Sequence, residues 1–295
     1  MRWTLWIAFA VLCVLSGTSW AIPREMSDGL PPLEQQGLLF GVIGLTALLF
    51  AGRRAWSRSR GLQYARLAAA AVGFFGVPIV VVEYARGSVP AMSRSALFAM
   101  VPVVVVLGIG AGDAIGREEW SARHFLVPAL AGLGGLLLLL PLDFSGSVRG
   151  WVMLALVCAA VVVVGLASVW LYRLLRGFGL ADAVAIVGLA NAVFLLGLSR
   201  VHENAVWRWS GVVSIASLVD VVEVLLIVGL LREMPPARFA ARYLVIPLLT
   251  ILESFVLMRP EWTIRMGLGT ALLATGAGTL LFWKAGEEET VLSLR

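Results

Sequence analysis

Two short stretches of this chain resemble each other: Glu119-Trp120-Ser121-Ala122-Arg123 and Glu261-Trp262-Thr263-Ile264-Arg265. In both, a glycine follows the tryptophan by fourteen residues, at Gly134 and Gly276. Similarity at two distant places in one chain indicates an internal repeat. A hydroxyl residue just before an apolar run is typical of a helix start, so Ser121 and Thr263 are candidate N-caps or first-turn residues. The two stretches therefore predict equivalent helices near the end of each half.

Apolar runs fill most of the remaining sequence. Of the 295 residues, 60% are hydrophobic and 14% charged, and the mean hydropathy is +0.93. A soluble core of this size cannot bury so much apolar surface, whereas a lipid bilayer accepts it. The runs cover residues 3–22, 37–52, 67–85, 95–112, 124–142, 150–172, 180–199, 209–231, 243–258 and 264–283. We predict an all-α membrane protein with ten transmembrane helices in a single membrane domain, residues 1–295.

The ten runs divide into two sets of five around the repeated stretches. Repeat one is predicted over residues 3–142 and repeat two over residues 150–283, and each has an early proline in its fourth run, Pro102 and Pro247. Because five is odd, two copies in series must have opposite orientations in the membrane. Inverted repeats of this kind are typical of secondary transporters, whose site lies between the halves. We therefore expect transport of a small solute.

The basic residues between the runs predict the orientation. The densest cluster, residues 53–66, lies between runs two and three, and Arg238 and Arg242 fall between runs eight and nine. Placing these segments on the cytoplasmic side puts both termini there, as the positive-inside rule requires. The first run can also be read as a signal peptide, but Trp20 at its end is bulky and the run is long enough to span, so we expect a retained helix. The compact, Arg-rich chain suggests a bacterial plasma membrane.

Two carboxylates lie near the centre of run eight. Asp220 and Glu223 are three residues apart, so they share one side of a helix, and Ser217 extends the polar stripe. Ionisable groups inside a membrane are costly and mark solute or proton pathways by default. The alternatives are that an acid pairs with an arginine or donates a hydrogen bond to another helix, and that Ser217 mediates helix packing.

Four further residues are candidates for substrate binding or proton coupling. Glu253 lies inside run nine, six residues after Pro247, and Asn191 lies centrally in run seven. Trp20 and Trp170 are candidates for opposite ends of a cavity, although tryptophan is also common at membrane interfaces. Glycine pairs, among them Gly134 with Gly135 and Gly276 with Gly278, are expected to pack helices closely.

These features together resemble the EamA-type family of the drug/metabolite transporter superfamily. The resemblance rests on Pro102 and Pro247, on the repeated stretches and on Gly134, Gly267 and Gly276. It rests further on residues 16–21 in run one, which Gly165, Ala167, Ser168 and Trp170 echo in run six. The resemblance implies ten helices in two inverted repeats around a central cavity, and transport of small metabolites, often outward. Residues 110–118, longer than the family's tight turn, and the extra acid Glu253 depart from its pattern.

Other classes of function have less support. An integral membrane enzyme acting on lipid or lipid-linked substrate remains the alternative, but no catalytic residue set or nucleotide-binding loop is found. A receptor or assembly factor is a third interpretation. Cys13, Cys158 and the two histidines have no metal-ligand spacing, so no cofactor or metal is expected. The expected partners are a small-molecule substrate and the lipid bilayer, without nucleic acid, for a monomer or homodimer.

Overall fold

The computed structural model describes residues 3–18, 31–51, 61–112, 119–140, 146–202, 215–258 and 263–282. For residues 110–112, 119–124, 215–217 and 257–258 it describes the backbone alone. Trp20 and the stretch from Glu261 to Trp262 lie outside the described residues.

Helices account for nearly all of this part of the chain, and they follow the ten predicted runs in order. They are α1 (Trp3–Thr18), α2 (Pro32–Phe50), α3 (Gly61–Ala85), α4 (Ala91–Phe98 and Val101–Gly112), α5 (Glu119–Leu139), α6 (Val148–Leu175), α7 (Leu180–His202), α8 (Ile215–Glu233), α9 (Pro236–Ala240 and Arg242–Met258) and α10 (Ile264–Phe282). Within the described ranges no strand occurs.

The surface of the helix bundle is apolar. Seven helices are long and apolar enough to cross a membrane: α2, α3, α4, α6, α7, α9 and α10. Two shorter apolar helices cover Trp3–Thr18 and Phe125–Leu139. Large side chains such as Phe50, Val127 and Val193 are exposed on the outside of the described bundle. The chain is therefore an all-helical protein of the membrane type.

Helices α2 and α7 pack against each other through glycine. A Cβ atom on Gly188 would lie 2.5 Å from the backbone nitrogen of Gly44, and one on Gly37 would lie 2.8 Å from Cγ of Leu196. Only glycine allows backbones to approach this closely. As the numbers rise along α2 they fall along α7, so the two helices are antiparallel.

Helices α5 and α10 form a second antiparallel pair. A Cβ atom on Gly276 would lie 2.5 Å from the nitrogen of Gly132, and one on Gly269 would lie 2.6 Å from Cγ of Leu139. We expected all four glycines, Gly134, Gly135, Gly276 and Gly278, to pack closely. In the structure only Gly135 and Gly276, on the facing sides of α5 and α10, do so. Nothing lies within 4 Å of a Cβ built on Gly134 or Gly278.

Two further helices, α1 and α6, make similar contacts. Helix α1 packs against α8 and α9, and α6 packs against α3 and α4. A Cβ on Gly17 would meet Cβ of Leu249 at 3.4 Å, and one on Gly165 would meet Cγ1 of Val104 at 2.5 Å. Val104 and Leu249 each follow by two residues the proline of a fourth helix. Gly17 and Gly165 thus each pack against the residue two positions after a proline.

Several helices begin before the predicted run, among them α3 at Gly61, α4 at Ala91 and α5 at Glu119. Two of the differences change the environment of a charged residue. Helix α2 begins at Pro32, five residues before the predicted run, because proline suits the first turn of a helix and Pro31 O accepts a bond from Gln35 N at 3.0 Å. The expected loop between runs eight and nine contains the short helix Pro236–Ala240, and Arg242 begins the next helical segment. Glu34 and Arg242 are therefore helical residues, not loop charges.

The predicted N-cap of α10 is confirmed. Thr263 Oγ1 accepts a hydrogen bond from the backbone nitrogen of Met266 at 3.2 Å. Its counterpart Ser121 lies in the first turn of α5.

The variant Thr263→Ala should lower the free energy of unfolding by about 1 kcal/mol, because it removes the acceptor for an otherwise unpaired first-turn amide. Thr275→Ala is the matched control, since the Thr275 hydroxyl in the same helix bonds to the Ala271 carbonyl at 2.9 Å and caps nothing. Thermal melting of the detergent-purified variants measures both. Equal melting temperatures for the two variants would contradict the cap.

Candidate functional site

The fourth helix of each half is interrupted. Helix α4 breaks between Phe98 and Val101, and α9 breaks at Ala241. A proline follows each break and removes the amide that would donate to the carbonyl four residues earlier, which belongs to Phe98 for Pro102 and to Tyr243 for Pro247. Both interruptions are slight, because Ala99 and Ala241 keep right-handed helical backbone angles, and Val104 N donates to Met100 O at 3.1 Å and Val245 N to Ala241 O at 3.0 Å. Transporter sites are commonly built at interruptions in helices.

The side chains at these two positions meet. The rings of Phe98 and Tyr243 stack with centroids 6.4 Å apart and an interplanar angle of 18°. The two residues are 145 positions apart, the same spacing as Pro102 and Pro247. One position of the repeated pattern therefore contacts its own counterpart, as happens at a two-fold axis.

A buried arginine lies beside this stack. Arg242 is 6% exposed, and its guanidinium carbon lies 4.4 Å from the ring centroid of Phe239, 4.7 Å from that of Tyr243 and 5.3 Å from that of Phe74. One terminal nitrogen, Nη2, donates to the Tyr243 hydroxyl at 2.8 Å. We call Arg242 with Phe74, Phe239 and Tyr243 the arginine cage.

A local irregularity in α3 brings the third ring to the cage. Residues Val72–Gly76 form a π-helical turn inside the helix, a feature frequent at functional sites. Phe74 and Phe75 lie in this turn. The ring centroid of Phe74 is 6.4 Å from that of Phe239, and the ring centroid of Phe75 is 5.6 Å from that of Phe40. The turn therefore directs neighbouring aromatic rings towards both α9 and α2.

The described residues provide neither a hydrogen-bond acceptor for every N–H group of the Arg242 guanidinium nor a counter-charge for it. Arg242 Nε is buried and makes no hydrogen bond within the described part of the chain, and no described carboxylate forms an ion pair with the guanidinium. Burying an ion costs several kcal/mol after relaxation. A cation–π contact returns about 0.5–2 kcal/mol. The cage thus reduces the cost of the charge, and a counter-charge would reduce it further.

Asn191 is a predicted site residue that lies beside the π-helical turn. It is fully buried, and its Nδ2 donates to Val187 O at 2.9 Å within α7. Its Oδ1 would lie 2.9 Å from a Cβ atom on Gly76 and makes no hydrogen bond with the described residues. An acceptor is therefore available beside the turn that carries Phe74.

None of the predicted acids, Asp220, Glu223 and Glu253, is a member of the cage, and all three are more than ten residues from Arg242 in sequence. Asp220 and Glu223 are half-buried on α8, and Glu223 Oε1 is a buried atom. Glu253 is half-buried on α9, eleven residues beyond Arg242, which is roughly 16 Å along a helix. Glu253 and Arg242 therefore occupy different levels of α9.

Of the other three predicted residues, the structure describes the side chain of one. Trp170 is 61% exposed on α6. Ser217 lies in α8, but its side chain is outside the described residues, as is Trp20. Within the described ranges no group of His, Cys, Asp or Glu is arranged to hold a metal ion.

Sequence reasoning missed two buried charges, Arg242 and Glu34. Glu34 is 0% exposed in the first turn of α2, and neither carboxylate oxygen makes a hydrogen bond with the described residues. Two patterns in the sequence could have revealed them. Pro31 and Pro32, before Glu34, are typical of a helix start. Phe239 and Tyr243 are four residues apart, so on a helix they are neighbours, with Arg242 between them in sequence.

No family model matches the chain, and no curated protein matches it in sequence. A solved crystal structure, described only as that of a protein, superposes on 96% of this chain and 100% of its own with a TM-score of 0.70. The two sequences are 19% identical, so the likeness establishes a shared fold and nothing about activity.

Proposed function

We propose that this chain is a secondary transporter of small metabolites, built from inverted five-helix repeats at residues 3–142 and 150–283 and working by alternating access. The observation that carries the proposal is the stacking of Phe98 on Tyr243, beside breaks in the fourth helix of each half. A site between two related halves can open to either side by rocking one half against the other.

The antiparallel pairs α2–α7 and α5–α10 support the inverted arrangement. Each pair joins the same helix of the two halves, and helices that span a membrane in opposite directions are antiparallel in this way. The resemblance to the EamA-type family points to the same arrangement and to outward transport. We place the protein in the plasma membrane with both termini in the cytoplasm, as a monomer or homodimer.

Counterflow in proteoliposomes tests the proposal. Vesicles loaded with one solute at a time, drawn from amino acids, amines, nucleosides and organic acids, should accumulate the same radiolabelled solute faster than protein-free vesicles for at least one solute. Accumulation should saturate with concentration. Failure of every solute, with correctly folded protein in the vesicles, would contradict transport.

The half-buried acids should matter for coupling. Asp220→Asn, Glu223→Gln and Glu253→Gln should each lower the initial rate of transport about a hundredfold or more if their carboxylates carry the proton or contact the solute, because a positioned proton-transfer group contributes about a hundred- to ten-thousandfold. Glu83→Gln is the control, since Glu83 pairs with Arg86 at 3.3 Å at the end of α3. Transport rates unchanged in all three variants would assign these acids to helix packing.

A further inference from the structure

The arginine cage indicates that the ligand carries a negative charge. Resting on the proposed transport function, we propose that Arg242 binds the oxyanion group, carboxylate or phosphate, of the transported solute. An anionic substrate is not what the acids of α8 and α9 suggest, because those acids favour a cation or a zwitterion. A zwitterion would suit both the acids and the cage, whereas a solute with only a cationic group would leave Arg242 without its ligand.

The first argument is the unmet bonding of the guanidinium. Arg242 is nine-tenths buried, its Nε has no hydrogen-bond partner in the described residues, and one hydroxyl accepts from Nη2. Arginine presents five N–H donors in a planar fork, which matches two oxygens of a carboxylate or phosphate. A solute oxyanion would supply both an acceptor and a counter-charge, neither of which the described residues provide.

The second argument is position. Arg242 begins the second segment of the broken helix α9 and precedes Tyr243, whose ring stacks on Phe98 of α4. The cage thus joins residues of α3 and α9, and the Phe98 ring that stacks on it belongs to α4. A ligand bound here contacts elements that must move relative to each other in alternating access, which is where a transported solute has to bind.

The third argument is the effect of the rings. Phe74, Phe239 and Tyr243 hold the guanidinium without neutralising it, whereas a protein carboxylate would cancel its charge and compete with the solute. The aromatic contacts also replace water, and a charge-assisted hydrogen bond is about twice as strong as a neutral one. The cage is therefore suited to reversible binding of an anion.

Ligand binding to the purified full-length protein tests the inference without requiring transport. The probes are sets with a shared skeleton: benzoate, phenyl phosphate, benzamide and benzylamine, and likewise succinate, its diamide and 1,4-diaminobutane. Thermal shift and calorimetric titration measure their binding. At least one oxyanion should stabilise the protein, while the neutral and cationic members of its set should not, and benzoate against phenyl phosphate separates carboxylate from phosphate.

Arg242→Gln should weaken binding of that oxyanion at least tenfold. Arg176→Gln is the matched control, because Arg176 also lies over a tyrosine ring, Tyr172, at 4.2 Å, but is exposed at the end of α6. Should Arg242→Gln fail to fold, Arg242→Lys retains the charge without the planar fork and should still weaken binding tenfold.

The outcomes separate this inference from the transport function. Transport of amines or neutral solutes that is unchanged in Arg242→Gln would overturn the inference and leave transport standing. Oxyanion binding that depends on Arg242, without counterflow of any solute, would uphold an oxyanion site at Arg242 and contradict transport. Binding of no oxyanion, or equal binding in Arg242→Gln and wild type, would overturn the inference.

Discussion

Replacing Gly276 with leucine should prevent the protein from folding stably. A Cβ atom at this position would lie 2.5 Å from Gly132 N, 2.6 Å from Gly132 Cα and 2.6 Å from Pro128 O. All three are backbone atoms, so no side chain can move aside, and α5 and α10 must separate. Overpacking a rigid site costs about 1–3 kcal/mol or more, and leucine adds three further carbons. We expect a large fall in melting temperature and in the yield of monodisperse protein.

Gly278→Leu is the matched control for this prediction. Gly278 lies two residues further along α10, and a Cβ there would have nothing within 4 Å. The substitution has the same helix propensity and the same added volume, but it points away from α5. If both variants melted alike, the close packing of α5 on α10 would be wrong.

Replacing Glu34 with methionine should stabilise the protein. The Glu34 carboxylate is fully buried in the first turn of α2, and neither oxygen has a hydrogen-bond partner among the described residues. A buried polar group without a partner costs about 1–3 kcal/mol, and methionine fills a similar volume without that cost. The melting temperature of purified Glu34→Met should therefore exceed that of the wild type.

Glu233→Met provides the comparison, because Glu233 is exposed at the end of α8 and surface substitutions usually change stability by less than about 0.5 kcal/mol. A fall in melting temperature in Glu34→Met would mean that the carboxyl group has a stabilising partner. Because a chain tolerates such a cost when the group has a use, loss of counterflow in the more stable Glu34→Met would add Glu34 to the functional residues.

Much of the architecture followed from local patterns in the sequence. Apolar runs predicted the helices, because the bilayer imposes their length and composition, and the hydroxyl before the last run predicted the Thr263 cap. The sequence predicted that glycines would pack helices closely, but not which of the glycines would do so. Gly135 packs and Gly134 does not, because the difference depends on the rotation of α5 against α10, which no local pattern encodes.

The candidate site was much less predictable. Hydropathy treats a charge at the edge of an apolar run as a loop residue, so Arg242 was placed in a cytoplasmic segment although the structure buries it. Only tertiary packing reveals that Phe74, from a helix far away in sequence, covers the guanidinium. The acids of α8 and α9 were visible because they interrupt apolar runs, but whether they act in transport remains a prediction.

The pairing of helices between the halves has a consequence for biogenesis. The most extensive packing of α2 is with α7, and that of α5 is with α10, so both partners are synthesised later. At about 5–20 residues per second, the ribosome needs on the order of 10 s to make residues 148–282. During that interval the glycine faces of α2 and α5 are in the lipid without their partners. A nascent chain stalled after its fifth helix should thus be a substrate for membrane proteases, whereas the completed chain should resist them.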